Sequence, residues 1–152
     1  MILLSSAFNT REPIPVQYTG EGKDINPPLR WQDIPEGTRS LALICDDPDA
    51  PHKTWDHWVI YNIPPSIATL AEDLKNLPSE VRTGINSWGN AGYGGPMPPV
   101  GHGPHRYFFT LYALDTVIQL PDDATKEDVL REIKNHDHEL AKAILVGIYE
   151  RK

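Results

Sequence analysis

The pattern of apolar and polar positions predicts a strand-rich chain with one helix near its C-terminal end. Several apolar runs are almost continuous, which is typical of strands that are buried on both faces or lie in the middle of a sheet. Turn-rich segments separate these runs, and no internal repeat or low-complexity linker divides residues 1–152. The sequence therefore predicts a single domain, with strands at Ile14–Tyr18, Ser40–Asp46, His57–Ile63, Tyr107–Leu114 and Ile144–Tyr149.

The helical signal begins after Thr125. Thr125 can cap a helix, and Asp128 stands three residues further on, as in a weak form of the capping box. Apolar residues then recur at helical spacing over the following turns. The spacing predicts a helix from about Lys126 to Ala143 that lays one apolar stripe on the sheet.

Composition and charge limit the classes of function. A hydrophobic content of 39% fits a globular protein, and 15 Pro and 11 Gly favour short strands and shaped loops over a helical bundle. The net charge of −7 argues against a nucleic-acid or anionic-membrane surface, because both need a basic face. The single cysteine, Cys45, excludes an intrachain disulfide. Without a signal-peptide pattern or an apolar run of membrane-spanning length, we expect a cytoplasmic protein with no integral membrane association.

The segment YGGPMPPVGHGPHRY, residues 93–107, is the strongest indication of a functional site. Its density of Gly and Pro excludes a helix or a central strand. It predicts a long ordered loop that places His102, His105 and Tyr107 at the start of a buried strand. Long loops without secondary structure in compact domains are usually functional or disordered, and the adjoining apolar strand favours the functional case.

A second polar cluster lies about fifty residues upstream. The segment DDPDAP, residues 46–51, follows one predicted strand, and DHW, residues 56–58, opens the next. Binding groups are often found where a strand meets a loop. If these strands pair, two carboxylates and two imidazoles converge on one pocket.

These segments together resemble the phosphatidylethanolamine-binding protein family (Raf kinase inhibitor-like), and its prokaryotic branch in particular. The resemblance covers most of residues 14–114, and the final GIYER fits as well. It is carried by IPVQYTGEGKDINPPLRW at Ile14–Trp31, DDPDAP at Asp46–Pro51, DHWVIYNIP at Asp56–Pro64 and GYGGPMPPVGHGPHRYFFTLYAL at Gly92–Leu114.

The resemblance implies a mainly β protein, a two-sheet antiparallel β-sandwich with a small anion-binding pocket at one end. It also implies a homodimer and no cofactor, and it makes Asp47-Pro48 and Pro98-Pro99 places to look for cis peptide bonds. Carried over position by position, the ligand-binding residues are Asp47, His57, Gly95, Pro99, His105 and Tyr107, and the residues that support the pocket are Pro48, Asp49, Pro51 and Arg106.

The chemistry of these residues agrees with an anion pocket. Two imidazoles, a phenol and loop amides supply the donors that a phosphate-like group needs. Asp47 repels an anion unless it orients an imidazole, accepts from an ammonium or a protonated ligand oxygen, or is partly protonated. Since nearby carboxylates favour charged imidazoles, the sequence predicts that binding strengthens towards pH ~6. We also expect Arg106 to pair with a carboxylate such as Asp49.

Two departures from the family pattern bear on specificity. Met97 lies on the pocket loop where relatives often carry Cys or a smaller residue. The helix that borders the pocket in animal members has no counterpart after Glu150-Arg151-Lys152.

Several functions stay open at this point. The leading hypothesis is a binding and regulatory protein for a small phosphorylated or carboxylated ligand that modulates a protein partner. The resemblance implies a phosphatidylethanolamine headgroup or a phosphorylated side chain as that ligand. The second is an inhibitor of a serine protease or kinase that acts through an exposed loop. The third is a phosphoester hydrolase using His57 or His105 with Asp47, for which no nucleophile elbow or metal motif is present.

Structural explanations also compete with the ligand roles. Asp47 and Asp49 can form an ordinary turn, and His57 alone is more often a satisfied core histidine. His102-x-x-His105 can be half of a metal site completed by His57 or an Asp, although no helix motif of metal ligands accompanies it. We therefore expect no catalytic and no metal site.

Overall fold

The computed structural model describes all residues, Met1–Lys152, as two packed β-sheets with one α-helix. The smaller sheet has the order β1-β3-β6, and the larger has the order β2-β9-β8-β4-β5-β7. All neighbouring strands are antiparallel except β2 and β9. The elements are β1 (Ile2–Leu4), β2 (Glu12–Pro13), β3 (Leu29–Gln32), β4 (Ser40–Asp47), β5 (Trp55–Ile63), β6 (Thr69–Leu70), β7 (Arg82–Thr83), β8 (His105–Leu114), α1 (Lys126–Asn135) and β9 (Glu139–Tyr149).

The central strands of the larger sheet are buried on both faces. On one face, Leu43 and Phe109 pack with Trp31 of the smaller sheet in the main core. On the other face, Tyr61 packs with Val129 of α1 in a second cluster. Burial on both faces explains the near-continuous apolar sequences of β4 and β5. The expectation of a mainly β, two-sheet fold with one helix is confirmed.

One predicted strand is wrong. Residues 14–18 do not form a strand, because Val16–Tyr18 is a turn of 3-10 helix that follows the two-residue strand β2. Pro13 and Pro15 flank Ile14 and have no backbone N–H to donate to a ladder. Ile14 still donates its amide to the carbonyl of Ile148 at 2.7 Å, so this segment reaches the edge of β9 without extending a strand.

The predicted helix is correct at its start and too long at its end. The capping box of Thr125 and Asp128 is present, but α1 ends at Asn135. Asp137 adopts a left-handed conformation with φ 53°, which an α-helix does not accommodate. The chain then reverses, and β9 begins at Glu139.

The two candidate positions for cis peptide bonds, Asp47-Pro48 and Pro98-Pro99, are trans, as are all other peptide bonds. No helix of the protein has the length and apolar character needed to span a membrane.

The candidate site lies at one end of the central strands of the larger sheet, where β4 ends and β5 and β8 begin. Antiparallel pairing brings these three strand ends together, with Asp47 opposite Trp55 and Asp46 opposite Phe108. On the helix side, Lys126 of α1 forms ion pairs with Asp46 at 3.1 Å and Asp56 at 2.6 Å. The helix therefore ties β4 to β5 next to the site.

Candidate functional site

A cavity of about 370 Å³ opens at this end of the larger sheet. Both polar clusters predicted from the sequence contribute to it, namely residues 46–58 and the long loop that leads into β8. Its lining residues are Asp47, Ala50, Pro51, His52, Trp55, His57, Trp88, Met97, Pro98, Pro99, His105 and Tyr107. Five of the six predicted ligand-binding residues thus share one cavity.

Gly95 is the exception, because it does not line the cavity. Its amide donates to Asp24 Oδ1 at 2.6 Å. A Cβ atom at this position would come within 2.5 Å of the Tyr18 carbonyl oxygen. Gly95 therefore allows the loop to pack closely on residues 18–24, and its amide is already used within the protein.

A β-bulge sets the direction of His57. Cys45 pairs with Trp58 and Asp46 pairs with Asp56, so that His57 is an additional residue in β5. A bulge changes the face to which the adjoining side chains point. Asp56 faces Lys126 beneath the helix, whereas His57 points into the cavity.

The His57 ring is held by the long loop. Its Nδ1 lies 2.6 Å from the Gly94 carbonyl oxygen, and the side chain of Trp88 meets the ring edge-to-face at 5.0 Å. Because a carbonyl oxygen only accepts, Nδ1 carries the hydrogen. Burial lowers the pKa of His57, and this effect outweighs the Gly94 carbonyl and the nearby carboxylates. The carboxylates thus act on His57 in the expected direction, towards the charged form, but burial has the larger effect on its pKa.

His105 is the middle member of a hydrogen-bonded chain that runs from the interior to the surface. Its Nδ1 lies 2.6 Å from Asp47 Oδ2, and its Nε2 lies 2.6 Å from Nδ1 of His102. Asp47 and His105 are buried, whereas His102 is exposed. Both ring nitrogens of His105 are therefore engaged within the protein, and Asp47 has the role of orienting an imidazole.

Tyr107 presents a buried hydroxyl that makes no hydrogen bond of normal geometry within the protein, although the Asp47 carboxylate lies close enough to interact with it. Burial raises the pKa of Tyr107 well above its usual value, and the charge of Asp47 raises it further. The hydroxyl is consequently a neutral donor at the cavity wall, close to His57, whose ring centroid lies 5.2 Å from that of Tyr107.

The supporting residues hold the two clusters together as expected. Arg106 donates from Nε and Nη2 to the two carboxylate oxygens of Asp49 at 2.9 and 2.8 Å, and its amide donates to the same carboxylate. Asp49 in turn donates its amide to Asp47 Oδ1 at 2.8 Å. The Arg106 guanidinium lowers the pKa of Asp49 to about 2. Pro48 continues this turn, and Pro51 lies on the cavity wall.

Sequence reasoning did not assign His52, Trp55 and Trp88 to the ligand site. His52 and Trp55 flank the DPDAP and DHW segments, so their position near the site was open to inference. Trp88 lies between the two motifs that end at Pro64 and begin at Gly92, and the sequence indicated only a packing role for it. It stacks edge-to-face on Trp55 at 5.6 Å, and the two rings form an aromatic wall.

His102 and His105 are hydrogen-bonded to each other. The separation of 2.6 Å between His102 and His105 is that of a hydrogen bond. A zinc ion at about 2.0–2.1 Å from each nitrogen would hold the two nitrogens further apart. No set of three or more His, Cys, Asp or Glu side chains is arranged to hold a metal ion.

The chain after β9 contacts the long loop, where the Arg151 carbonyl accepts from the Gly101 amide at 3.2 Å. At the end of β9, the Tyr149 hydroxyl donates to Glu21, which precedes β3, at 2.6 Å. Met97 lines the cavity and packs over Gly20, where a Cβ atom would lie 2.9 Å from the Met97 sulfur. The thioether therefore occupies space at the rim and narrows the cavity on that side.

Comparison with known proteins agrees with this architecture. The sequence profile of the family described as "Phosphatidylethanolamine-binding protein" matches residues 4–150. A UPF0098 protein of Methanothermobacter thermautotrophicus is 52% identical, over 99% of both chains. The crystal structure of a phosphatidylethanolamine-binding protein homologue from Chlamydia trachomatis has a TM-score of 0.90 at 39% identity, covering 99% of this chain and 97% of that one.

A further crystal structure, that of YbcL from Escherichia coli, is described as a member of the mammalian PEBP family. It has a TM-score of 0.92 at 33% identity, covering 99% of this chain and 98% of that one. The fold and the cavity thus define a two-sheet ligand-binding protein. The chain belongs to the phosphatidylethanolamine-binding protein family.

Proposed function

We propose that this protein is a non-catalytic binding and regulatory protein whose cavity holds a small phosphoryl or carboxyl group and that it modulates a protein partner. The observation that carries the proposal is the Tyr107 hydroxyl, which is buried at the cavity wall without a hydrogen bond of normal geometry. Buried polar groups are nearly always hydrogen-bonded, so such a donor next to a cavity favours a ligand oxygen as its partner. The size of the cavity suits a small group.

The side chains around the cavity favour binding over turnover. His105 has no free ring nitrogen with which to abstract a proton, because Asp47 and His102 occupy both. No serine, threonine or cysteine lines the cavity that could serve as a nucleophile. These features support a site that holds its ligand in place.

An amide NMR titration with phosphorylethanolamine at pH 6 and pH 7.5 tests the proposal. In the wild-type protein we expect saturable shifts confined to residues 45–58 and 93–107. Tyr107→Phe removes one oxygen atom and is expected to weaken the response, and His105→Ala is expected to abolish it. His136→Gln, at the exposed end of α1, serves as the control and should titrate like the wild type.

The absence of shifts in the wild type at millimolar ligand, at both pH values and with acetate as a carboxyl probe, would overturn the proposal. Inhibition of a protease or kinase through an exposed loop would then become the leading hypothesis. In that case pocket substitutions such as Tyr107→Phe would leave the inhibition intact.

A further inference from the structure

We propose that β9 carries an interaction surface for a second copy of this chain. In this arrangement the open edge of β9 pairs antiparallel with the same edge of the second copy, and the two larger sheets become one. The inference goes beyond the proposed function and does not depend on a ligand. It rests on the direction of the backbone groups of β9, on the side chains that its edge exposes and on their charges.

The strand β2 covers only the last part of the outer edge of β9. It is the outermost strand of the larger sheet, and it pairs with residues 147–148 alone. Next to it, Arg11 donates its amide to the Val146 carbonyl, and the Thr10 hydroxyl accepts from the Val146 amide. Residues 139–145 pair with β8 on one side and have no neighbouring strand on the other.

The backbone groups of this uncovered segment point away from the sheet. The bond to Arg11 shows that the backbone groups of Val146 are directed away from β8. Since this direction alternates along a strand, Ile144 and Lys142 have the same orientation as Val146. Neither backbone takes part in the hydrogen bonds of turns and loops, so these donors and acceptors are open to solvent.

Two large side chains along this edge are apolar and exposed. Leu140 is 42% exposed and Ile144 is 49% exposed. An edge that combines unpaired backbone groups with exposed apolar side chains is a template for another strand. The helix α1 does not shield it, because α1 packs on the central strands, where Val129 joins the cluster that contains Tyr61.

A β-bulge brings one carboxylate and one ammonium group to the same face of this edge. Lys142 pairs with Tyr112 and Glu139 pairs with Leu114, so that Leu140 is an additional residue. Tyr112 and Leu114 both belong to the apolar cluster beneath α1, which places their partners on that face of the sheet. Neither Glu139 nor Lys142 forms an ion pair within the protein.

These two charges make the edge complementary to itself. In an antiparallel pair about a twofold axis, each contact occurs twice. With Leu140 of one copy opposite Lys142 of the other, the Glu139 carboxylate lies next to the Lys142 ammonium of the second copy. A lysine on an edge strand usually opposes pairing, but a carboxylate beside it makes the same lysine favour this register. The register that sets the two lysines directly opposite each other is disfavoured by their like charge.

The surface lies at the far end of β9 from the cavity. Leu114 and Glu139 pair at one end of the β8–β9 ladder, whereas His105 and Tyr149 pair at the other. Two copies joined through residues 139–145 therefore keep both cavities open. Ligand binding and dimer formation are then separate measurements.

Sedimentation velocity over a range from low to high micromolar protein tests the inference. We expect a reversible equilibrium between monomer and dimer, because an interface built on one strand pair is small and belongs to the weak class. Raising the salt concentration should weaken the dimer, since both ion pairs are exposed and therefore screened.

Charge reversal assigns the dimer to this edge. Lys142→Glu and Glu139→Lys each place like charges side by side twice, and each should weaken the dimer by about tenfold. The double variant restores both ion pairs with the opposite polarity and should recover most of the lost affinity. Lys134→Glu, an exposed charge reversal on α1, should behave like the wild type. Thermal unfolding at low protein concentration verifies that every variant is folded.

Amide hydrogen exchange locates the contact without any substitution. The Lys142 amide points to the open edge, so it should exchange rapidly in the monomer and slowly at protein concentrations that favour the dimer. The Ala143 amide is directed to β8 and should be protected at both concentrations.

A protein that stays monomeric at all concentrations would overturn the inference. So would a dimer in which the Lys142 amide exchanges as fast as in the monomer, because a different surface would then hold the two copies together. Failure of the double variant to recover the affinity lost in the single variants would overturn it as well. None of these outcomes bears on the proposed ligand site, which the phosphorylethanolamine titration tests.

Discussion

His105 Nδ1 lies 2.6 Å from Asp47 Oδ2, and the side chains of the two residues are only 2% and 4% exposed. This contact joins the end of β4 to the start of β8 through side chains rather than through the backbone ladder. Removal of either residue leaves the other with a buried polar group that has lost its hydrogen-bond partner. The pair is therefore a structural feature as well as part of the cavity wall.

His105→Ala should be strongly destabilising. It leaves the Asp47 carboxylate buried beside an apolar gap, and removal of one member of a buried pair costs about 3–5 kcal/mol. Urea unfolding at pH 7 measures the loss. His102→Ala, which removes the exposed end of the same chain, should cost less than about 1 kcal/mol. Similar small losses in both variants would show that Asp47 finds another partner.

Tyr107→Phe should lower the affinity for the ligand without lowering the free energy of unfolding. The hydroxyl is buried without a hydrogen bond of normal geometry, so its removal should leave the free energy of unfolding unchanged or raise it by about 1 kcal/mol. Affinity for phosphorylethanolamine should nevertheless fall, because the ligand loses a donor. Thermal unfolding and NMR titration of one sample give both quantities. A destabilised variant with unchanged affinity would contradict both expectations.

Much of the fold was predictable because the central strands are buried on both faces. The apolar sequences of β4, β5 and β8 were identified correctly, and their junctions with polar loops located the site. The helix was predicted too long because Leu140 and Ile144 continue the helical spacing. Both are exposed residues of β9, whereas Ala143 and Leu145 face the core. Period-two and helical patterns overlap in so short a segment.

The details of the site depend on geometry that local sequence patterns do not carry. The bulge at His57 appears only in the register between β4 and β5. The engagement of His105 by both Asp47 and His102 requires three side chains from two distant segments to meet. The Arg106–Asp49 pair, in contrast, was expected from charge and position alone, and it is present.

Acid should destabilise the protein through His57. Its pKa is lowered in the folded state from about 6.5 in the unfolded chain. Below pH ~6.5 the unfolded chain therefore binds a proton that the folded protein does not, and stability falls as the pH decreases towards the folded-state pKa. Above pH ~6.5 both forms are neutral and the contribution is flat. Urea unfolding from pH 7.5 to 5 should show a steeper decline in the wild type than in His57→Gln. Parallel curves would contradict this assignment.

Asp49→Asn should loosen the connection between the DPDAP turn and β8. The Arg106 guanidinium lowers the pKa of Asp49 to about 2. The carboxylate therefore stabilises the folded protein fully above its unfolded pKa of about 3.9, and this contribution is lost as the pH falls through about 2. Because the pair is partly exposed, solvent screens it.

At pH 7 we expect the Asp49→Asn substitution to lower Tm by roughly 2–4 °C, and differential scanning calorimetry measures this change. The difference from the wild type should be constant between pH 7 and 5 and should shrink below pH ~4. Asp122→Asn removes an exposed carboxylate elsewhere and should leave Tm unchanged. Affinity for phosphorylethanolamine should also fall in Asp49→Asn, because the Asp49 carboxylate ties Arg106 of β8 to the turn that carries Asp47. A variant with lowered Tm and wild-type affinity would show that the cavity keeps its shape without this pair.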